Sequence, residues 1–342
     1  MAEYTTSAFP MTDTPKRARR RPTIDDVARR AGVSSAAVSF AMNGRRGVAE
    51  STRARILDAA AELGWSPSAP ARALSRARAG AIGLLLARQV ETLEVDPFFL
   101  RFLAGVERGL ASTDHALLLR VLDSDGPVDP DAYARLAAQG RVDGFLLSDV
   151  ELEDPRFDVL AGAGLPVVVA GRPPGPCPFP ALETRHAEGL AAATAHLAER
   201  GREHIGFLGG LARYEFEQAR LEAWRAELGR AGLQPGPVCF GDPAAAIATG
   251  VSALVCTSDV LAAGALAEAR ARGLSVPGDL ALAGFDDSSL AALSSPPLTS
   301  VRIDYAQFGE AAATALLAAI AGAPPPVFEP AAPRLIVRDS SG

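Results

Sequence analysis

The apolar positions of this 342-residue chain follow two different rhythms. Between positions 23 and 63 they recur every three or four residues, the spacing of short amphipathic helices. From Ala81 onward, short apolar runs alternate with helix-spaced stretches, which predicts a parallel sheet covered by helices on both faces. AIGLLLA, HALLLRVL, VDGFLLS, GLPVVVAG, HIGFLGG, SALVCTS and LALAGFDD read as strands. Stretches 100–112, 189–200, 220–231, 259–272 and 305–321 read as helices.

The N-terminal rhythm resolves into a specific unit. Thr23 caps a first helix, and Asp26 three residues on completes a capping box that satisfies orphan amides. Val27 and Ala28 face inward, small Ala28 lets a second helix come close, and Gly32 supplies a tight turn. Ser34 caps a helix over 35–42 that buries Val38, Ala41 and Met42, leaving Ser35, Ala36, Ser39, Phe40 and Asn43 outward. A third helix over 51–63 places Ile56, Leu57, Ala60 and Leu63 at core spacing. Two helices around a glycine turn also describe an ordinary helical hairpin. The third helix and the charge distribution favour a DNA-reading head whose outward residues enter the major groove.

Residues 1–79 carry 14 Lys and Arg against 7 Asp and Glu, whereas the rest carries 20 against 33, so a head of net +7 precedes a body of net −13. A phosphate-binding module on an acidic body needs that asymmetry, and the overall charge of −6 conceals it. Arg45, Arg46, Arg53 and Arg55 surround the second and third helices, and 1–21 reads as a basic disordered arm containing Lys16, Arg17, Arg19, Arg20 and Arg21. Cys177, Cys239 and Cys256 stand apart from one another and from any histidine pairing, so free thiols are expected and no metal or cofactor. No leader-like apolar run occurs in the first twenty residues and none of the apolar stretches reaches bilayer length, which predicts a cytoplasmic location without membrane contact.

In open parallel sheets ligands gather at the carboxyl ends of strands. Ser148 and Asp149, Arg172, Ser258 and Asp259, and Asp286 and Asp287 stand there, a set suited to a ligand with hydroxyl groups. Each has a plainer role as well: Ser258 or Asp259 as a helix cap, one aspartate of the 286 pair as a turn brace, and Arg172 as a loop charge.

Over nearly its whole length the chain resembles the lactose-repressor (LacI/GalR) family of bacterial transcription factors. TIDDVARRAGVS, AVSFAMNG, TRARILDAAAELGWSPSAPARALS, DPFF, HLAERGREHIGFLGG, RLEAWRAEL, TSDVLAAGAL, RGLSVPGDLALAGFDD and SPPLTSVR carry the resemblance in family order. It implies an α/β protein with a helix-turn-helix head (22–66), a hinge helix and linker (67–79), and a periplasmic-binding-protein-like core (80–342) of two Rossmann-like lobes. The first lobe is expected at 80–180 and 303–325, the second at 181–302 and 326–342. It further implies a homodimer on pseudo-palindromic double-stranded operator DNA, controlled by a small-molecule effector: a sugar, sugar phosphate or related metabolite.

The resemblance assigns DNA contacts to Thr23, Ser34, Ser35, Ala36, Ser39, Phe40, Asn43 and Arg53, and in the hinge to Ser68, Ala71, Arg72 and Leu74. Ser68 stands where Asn is frequent, and because Pro70 lacks an amide its hydroxyl would cap at Ala71. A two-turn hinge helix is too short to persist alone in water, so it would order on DNA, with Leu74 wedging open a base step or packing on the core. Ala36 and Phe40 form few directional base contacts, so no known operator sequence carries over.

For the effector the resemblance points to Phe98, Arg220 and Asp286, with Ser148, Arg172 and Ser258 from the strand-end argument. Gly171 replaces a frequent Asp, and Arg185 with His186 replaces a frequent Asp-Asn pair, which leaves both an acidic or phosphorylated effector and a neutral carbohydrate open. Two other functions fit less well. A sugar receptor without DNA activity needs a secretion signal and no basic head. A Rossmann-type enzyme needs a G-x-G-x-x-G, P-loop, G-x-S-x-G or metal cluster, and GFLGG at 206–210 has the wrong spacing. The RLIVRDSSG ending carries no heptad tail for a tetramer.

Overall fold

The computed structural model describes residues 20, 22–42, 47–66, 78–88, 96–122 and 129–342. The chain divides into two compact units, residues 1–78 and 79–342.

In the first unit α1 (Ile24–Ala31), α2 (Ser35–Met42) and α3 (Glu50–Leu63) enclose one small core. The capping box is formed: Thr23 Oγ1 accepts from the Asp26 amide at 3.4 Å, and Asp26 Oδ2 accepts from the Thr23 amide at 2.9 Å. Gly32 ends α1 at φ 64°, a left-handed conformation that disfavours side chains, and Ser34 Oγ accepts from the Ala37 amide at 3.2 Å to start α2. Val27, Ala28, Val38 and Ala41 are buried as expected. Leu57 is not: it is 47% exposed, and Ala59 takes its place beside Ile56 and Ala60. Core-facing positions lie three and four residues from Ile56, whereas Leu57 sits about 100° around the helix.

The second unit contains two sheets. The first lobe holds β1 (Ala81–Ala87), α4 (Pro97–Leu110), β2 (Ala116–Leu122), α5 (Pro130–Ala138), β3 (Gly144–Leu147), α6 (Arg156–Ala163), β4 (Val167–Ala170) and β5 (Ala181–Leu182), all strands parallel in the order β2-β1-β3-β4-β5. The second holds α7 (His186–Glu199), β6 (Ile205–Gly209), α8 (Glu215–Arg230), β7 (Val238–Phe240), α9 (Pro243–Ala248), β8 (Ala253–Cys256), α10 (Asp259–Ala271), β9 (Ala281–Phe285), α11 (Ser289–Leu293), β10 (Thr299–Arg302) and β11 (Arg334–Ile336). Its order is β11-β10-β9-β8-β6-β7, with β11 antiparallel to β10.

Strand side chains alternate between the layers. Ile82, Leu84 and Leu86 of β1 pack with Phe102 and Val106 of α4 and with α12 (Tyr305–Ile320), whereas Leu85 and Ala87 pack on the face of α5 and α6. The second sheet is sandwiched similarly, with Trp224 of α8 fully buried on one face and Ala262 and Ala265 of α10 on the other. Gly309 of α12 lies against the backbone of Phe102, so any side chain there would force the two helices apart. The sequence reading began the second lobe at 181, but Val169 and Ala170 pair with Ala181 and Leu182, so the first sheet keeps β5. The chain crosses after it, returns between β10 and α12, and crosses again before β11.

Candidate functional site

Arg88, Asp149, Arg172, Gly210, Thr257 with Ser258, and Asp286 follow β1, β3, β4, β6, β8 and β9, and all line one cavity of about 420 Å³. Its position at the carboxyl ends of both sheets follows from their parallel topology. Phe98, Tyr214, Phe216 and Tyr305 supply aromatic walls. Phe98, positioned by the Asp96 cap of α4, stacks on Phe102 at 5.3 Å and meets Tyr305 edge-on at 4.9 Å.

Five of the six expected effector residues line this cavity: Phe98, Arg172, Arg220, Ser258 and Asp286. Ser148 does not. It is fully buried behind the loop, where its carbonyl accepts from Arg156 Nη1 at 3.0 Å, and its neighbour Asp149 lines the cavity instead. Ser258 keeps its plainer role too, capping α10 through the Leu261 amide at 3.2 Å. The sequence reading passed over Arg88, Asp96, Tyr214, Phe216 and Glu217, all of which line the cavity. The Asp-Pro start of α4 and the α8 register, which sets Glu217 one turn before Arg220, were the available signals.

Backbone strain concentrates at the strand ends. Asp149, Asp286 and Asp287 have φ of 51°, 100° and 45°, conformations that each cost about 1–3 kcal/mol unless the surroundings enforce them. They are enforced. Arg156 Nη2 donates to Asp149 O at 2.7 Å while its guanidinium grips Asp154 in the buried interior. Arg101 donates to the carbonyls of Asp286 at 2.6 Å and Asp287 at 3.0 Å, which ties α4 of the first lobe to the β9 loop of the second.

The cavity contains six carboxyl groups, on Asp96, Asp149, Glu183, Glu215, Glu217 and Asp286, against guanidiniums on Arg88, Arg172 and Arg220. Arg88 is occupied by Asp149, at 2.7 and 3.1 Å, and by Asp96 at 3.4 Å. Burial opposes its charge, but Asp149 outweighs that and holds Arg88 protonated. Arg172 pairs with Glu215 across the cleft mouth. Burial pushes the Asp286 carboxyl up to about 7, with nearby Asp96 adding to the effect and Arg220 and the Tyr305 hydroxyl opposing it. Burial likewise raises Glu217 and Asp96 and lowers His186, which keeps that imidazole neutral. Arg185, expected to add basic character, lies at the surface against Glu188. Carboxyl groups outnumber guanidiniums in the lining, which favours a neutral or cationic occupant over an anionic one.

The lobes meet at the cleft mouth through a short antiparallel clasp. Leu152 N donates to Arg213 O at 3.0 Å and Glu215 N to Val150 O at 2.9 Å, flanked by an Arg213–Glu151 ion pair at 3.0 Å.

On the head, Ser34, Ala36 and Phe40 are exposed along α2, while Ser35 and Ser39 are partly buried. Ser35 Oγ donates to Asp25 Oδ1 at 2.6 Å, and Arg53 Nη1 donates to Ala41 O at 2.8 Å, so both also brace the helices. Asn43, Arg45, Arg46, Ser68, Ala71, Arg72, Leu74 and the basic arm up to Arg19, with Arg21, lie outside the described residues.

Residues 23–68 match the model of bacterial regulatory proteins of the lacI family, and 194–341 match a periplasmic binding protein-like domain. The transcriptional regulator reg1 of Streptomyces lividans is 32% identical over 339 residues, covering 92% of this chain and 95% of its own length. CelR of Thermobifida fusca is 31% identical over 322 residues, covering 89% of this chain and 93% of its own. The chain belongs to the LacI family of bacterial regulatory proteins. It is therefore a helix-turn-helix DNA-binding transcriptional regulator.

Among solved structures, the complex of the regulator CelR with cellobiose superposes with a TM-score of 0.70 at 30% identity, covering 94% of this chain and all of that one. A lac repressor dimer bound to operator and the anti-inducer ONPF gives 0.74 at 21% identity, covering 94% and 99%, and supports the fold. The relatives are named as transcriptional regulators. Among the described residues no helix is long and apolar enough to cross a membrane.

Proposed function

We propose that this protein is a repressor that holds operator DNA as a dimer and whose grip is set by a polyhydroxylated small molecule in the cleft between the core lobes. The observation that carries the effector half is the cavity itself. Aromatic walls surround Glu217 Oε2 and Arg220 Nε, buried polar atoms with no hydrogen-bond partner among the described residues. Leaving such groups unsatisfied costs about 1–3 kcal/mol each, and a ligand carrying both donors and acceptors would satisfy them. Cellobiose, the ligand of the CelR complex, has that chemistry, and relatives carry the names HTH-type transcriptional repressor PurR and HTH-type transcriptional regulator CelR.

Arg220 is the central contact in this reading. Its Nη1 donates to Thr257 O at 2.9 Å and its guanidinium lies over Phe285 at 4.0 Å, which leaves the remaining N–H groups directed by a fixed plane. Phe98 and Asp286 supply an apolar face and an acceptor, and Arg172 with Ser258 completes the rim. On the head, Ser34, which precedes α2, with Ser35, Ala36, Ser39, Phe40 and Asn43 read the major groove while Thr23 and Arg53 contact backbone phosphates. The hinge residues Ser68, Ala71, Arg72 and Leu74 belong to the same proposal.

The test is a fluorescence-anisotropy titration of the intact protein on its mapped genomic sites, with and without candidate sugars. Arg220→Ala is expected to lose the ligand-induced change in DNA affinity while binding DNA as tightly as the parent. An unchanged response in that variant would overturn the assignment. Equal affinity of intact and head-deleted protein for the same fragments would overturn the DNA-reading role.

A further inference from the structure

The first turn of α8 aims an uncommon side chain at the cleft. Glu217 is 4% exposed and lines the cavity. Its Oε1 accepts from Thr257 Oγ1 at 2.9 Å, and buried Oε2 has no hydrogen-bond partner among the described residues. A carboxylate near a helix N-terminus gains from the helix dipole, but an exposed glutamate would gain the same without desolvation. Burial therefore needs another reason.

The neighbouring charges supply one. Arg88 is occupied by Asp149 and Asp96, and Arg172 by Glu215. Glu183 faces His186 at 3.4 Å. Arg220, one turn beyond Glu217, is directed at Thr257 O and the Phe285 ring, and among the described residues no ion pair within 4.0 Å joins it to Glu217. Two carboxyl groups, Glu217 and Asp286, thus share the deep cavity with one guanidinium, among the aromatic faces of Phe98, Phe216 and Tyr305. Arg220 already lies over the Phe216 ring at 5.2 Å, so a further cation is drawn by the Glu217 carboxylate, with Phe98 and Tyr305 alongside.

We propose that the cleft's natural occupant carries a protonated amino group on a polyhydroxylated frame, as an amino sugar or aminocyclitol does, with the ammonium seated against Glu217 Oε2. This rests on the reading of the cleft as the effector site. The hydroxyls meet Arg220, Asp286 and Ser258, and the ammonium donates to the Glu217 oxygen that has no partner among the described residues.

Matched pairs test it by calorimetry on the intact protein at pH 7: glucose with glucosamine, galactose with galactosamine, mannose with mannosamine, and cellobiose with the glucosamine dimer. At least one amine is expected to bind tenfold or more tightly than its hydroxyl parent, and Glu217→Gln to cut that preference below twofold. Glu217→Asp, which retracts the carboxylate, gives the same loss should the Gln variant fail to fold. Parents binding as tightly as amines, a preference that survives in these variants, or amines that do not bind overturn the proposal. A neutral parent that binds as tightly as its amine and is lost in Arg220→Ala leaves the effector cleft standing while the amine falls. Sugars that bind and are indifferent to both Arg220→Ala and Glu217→Gln overturn the cleft itself.

Discussion

Asp286→Asn is expected to change how the stability of the protein depends on pH. Asp286 is buried, and its carboxyl is pushed up to about 7 in the folded chain from an ordinary value of 3.8. A carboxyl whose folded-state pKa is raised holds its proton in the folded chain after the unfolded chain has released it. Between about pH 4 and pH 7 the folded state therefore binds more protons, and stability falls as pH rises through that window. Roughly three pH units at about 1.4 kcal/mol each set a loss of about 4 kcal/mol, complete above pH 7. Asparagine removes this titration, tolerates the positive φ of the site, and keeps an oxygen that accepts from the Tyr305 hydroxyl, now 2.7 Å from Asp286 Oδ1. Asp96, Glu217 and Asp259 are also raised by burial and titrate in both proteins; because Asp96 and Asp259 repel a charged Asp286, its loss in the variant eases their ionisation and flattens the pH dependence further. The assay is urea denaturation at pH 5, 6, 7 and 8, followed by fluorescence of Trp224, which is wholly buried in the second lobe. The variant should gain about 2–4 kcal/mol on the parent between pH 5 and pH 8. Parallel stability curves would refute the reasoning.

Three further outcomes are expected. Arg220→Ala removes a buried donor set, and at about 1.5–3 kcal/mol per charge-assisted bond the affinity for a cleft ligand falls at least tenfold by calorimetry. Thr23→Ala removes the two hydrogen bonds of the Thr23 hydroxyl, leaving the residue-23 amide on Asp26, and costs the head about 1 kcal/mol, read as faster amide exchange across α1 in the intact protein; unchanged exchange would exclude a stabilising cap. Arg213→Ala removes the Glu151 ion pair and the contact with the Tyr214 ring at 4.9 Å, so the apo core should show a larger radius of gyration in solution scattering, and an identical profile would show that the clasp does not hold the lobes together.

Much of the architecture was legible because long apolar runs and helical periods report burial directly. The seven expected strands are β1 to β4, β6, β8 and β9, each inside a mostly apolar run, whereas β5, β7 and β11 have two or three residues and β10 (Thr299–Arg302) is mostly polar, so none of these four shows an apolar run or a period. Leu57 illustrates a different limit. Hydrophobicity alone placed it in the head core, but the angular register defined by Ile56 assigns that place to Ala59, a residue too small to announce itself. At the site, strand-end logic found Arg172, Ser258 and Asp286, since residues that follow a strand also occupy its carboxyl end in space. It chose Ser148 over Asp149 because a one-residue step reverses direction at a strand end, and the αL turn at Asp149 carries the carboxylate inward. Arg88, directly after β1, and Glu217, one turn before Arg220, were within reach of the same local rules, whereas Tyr214 and Phe216 line the cavity only through the way the two lobes face each other.

The clasp at the cleft mouth bears on how a small ligand could act over the whole core. A ligand shifts a conformational equilibrium only by its difference in affinity for the two states. Two inter-lobe backbone hydrogen bonds contribute about 0.5–1.5 kcal/mol each, and the two partly exposed ion pairs about 0–1 kcal/mol each. Opening the cleft thus loses a few kcal/mol at this edge, which is the size of an ordinary allosteric coupling. Within reach of the same edge, Arg172 and Glu215 belong both to the clasp and to the cavity lining. A ligand that draws on either side chain changes the strength of the clasp directly, so in the proposed repressor recognition and lobe closure share the same atoms. Glu215→Gln accordingly should alter cleft-ligand affinity and lobe opening together, whereas a purely structural ion pair would alter only the second.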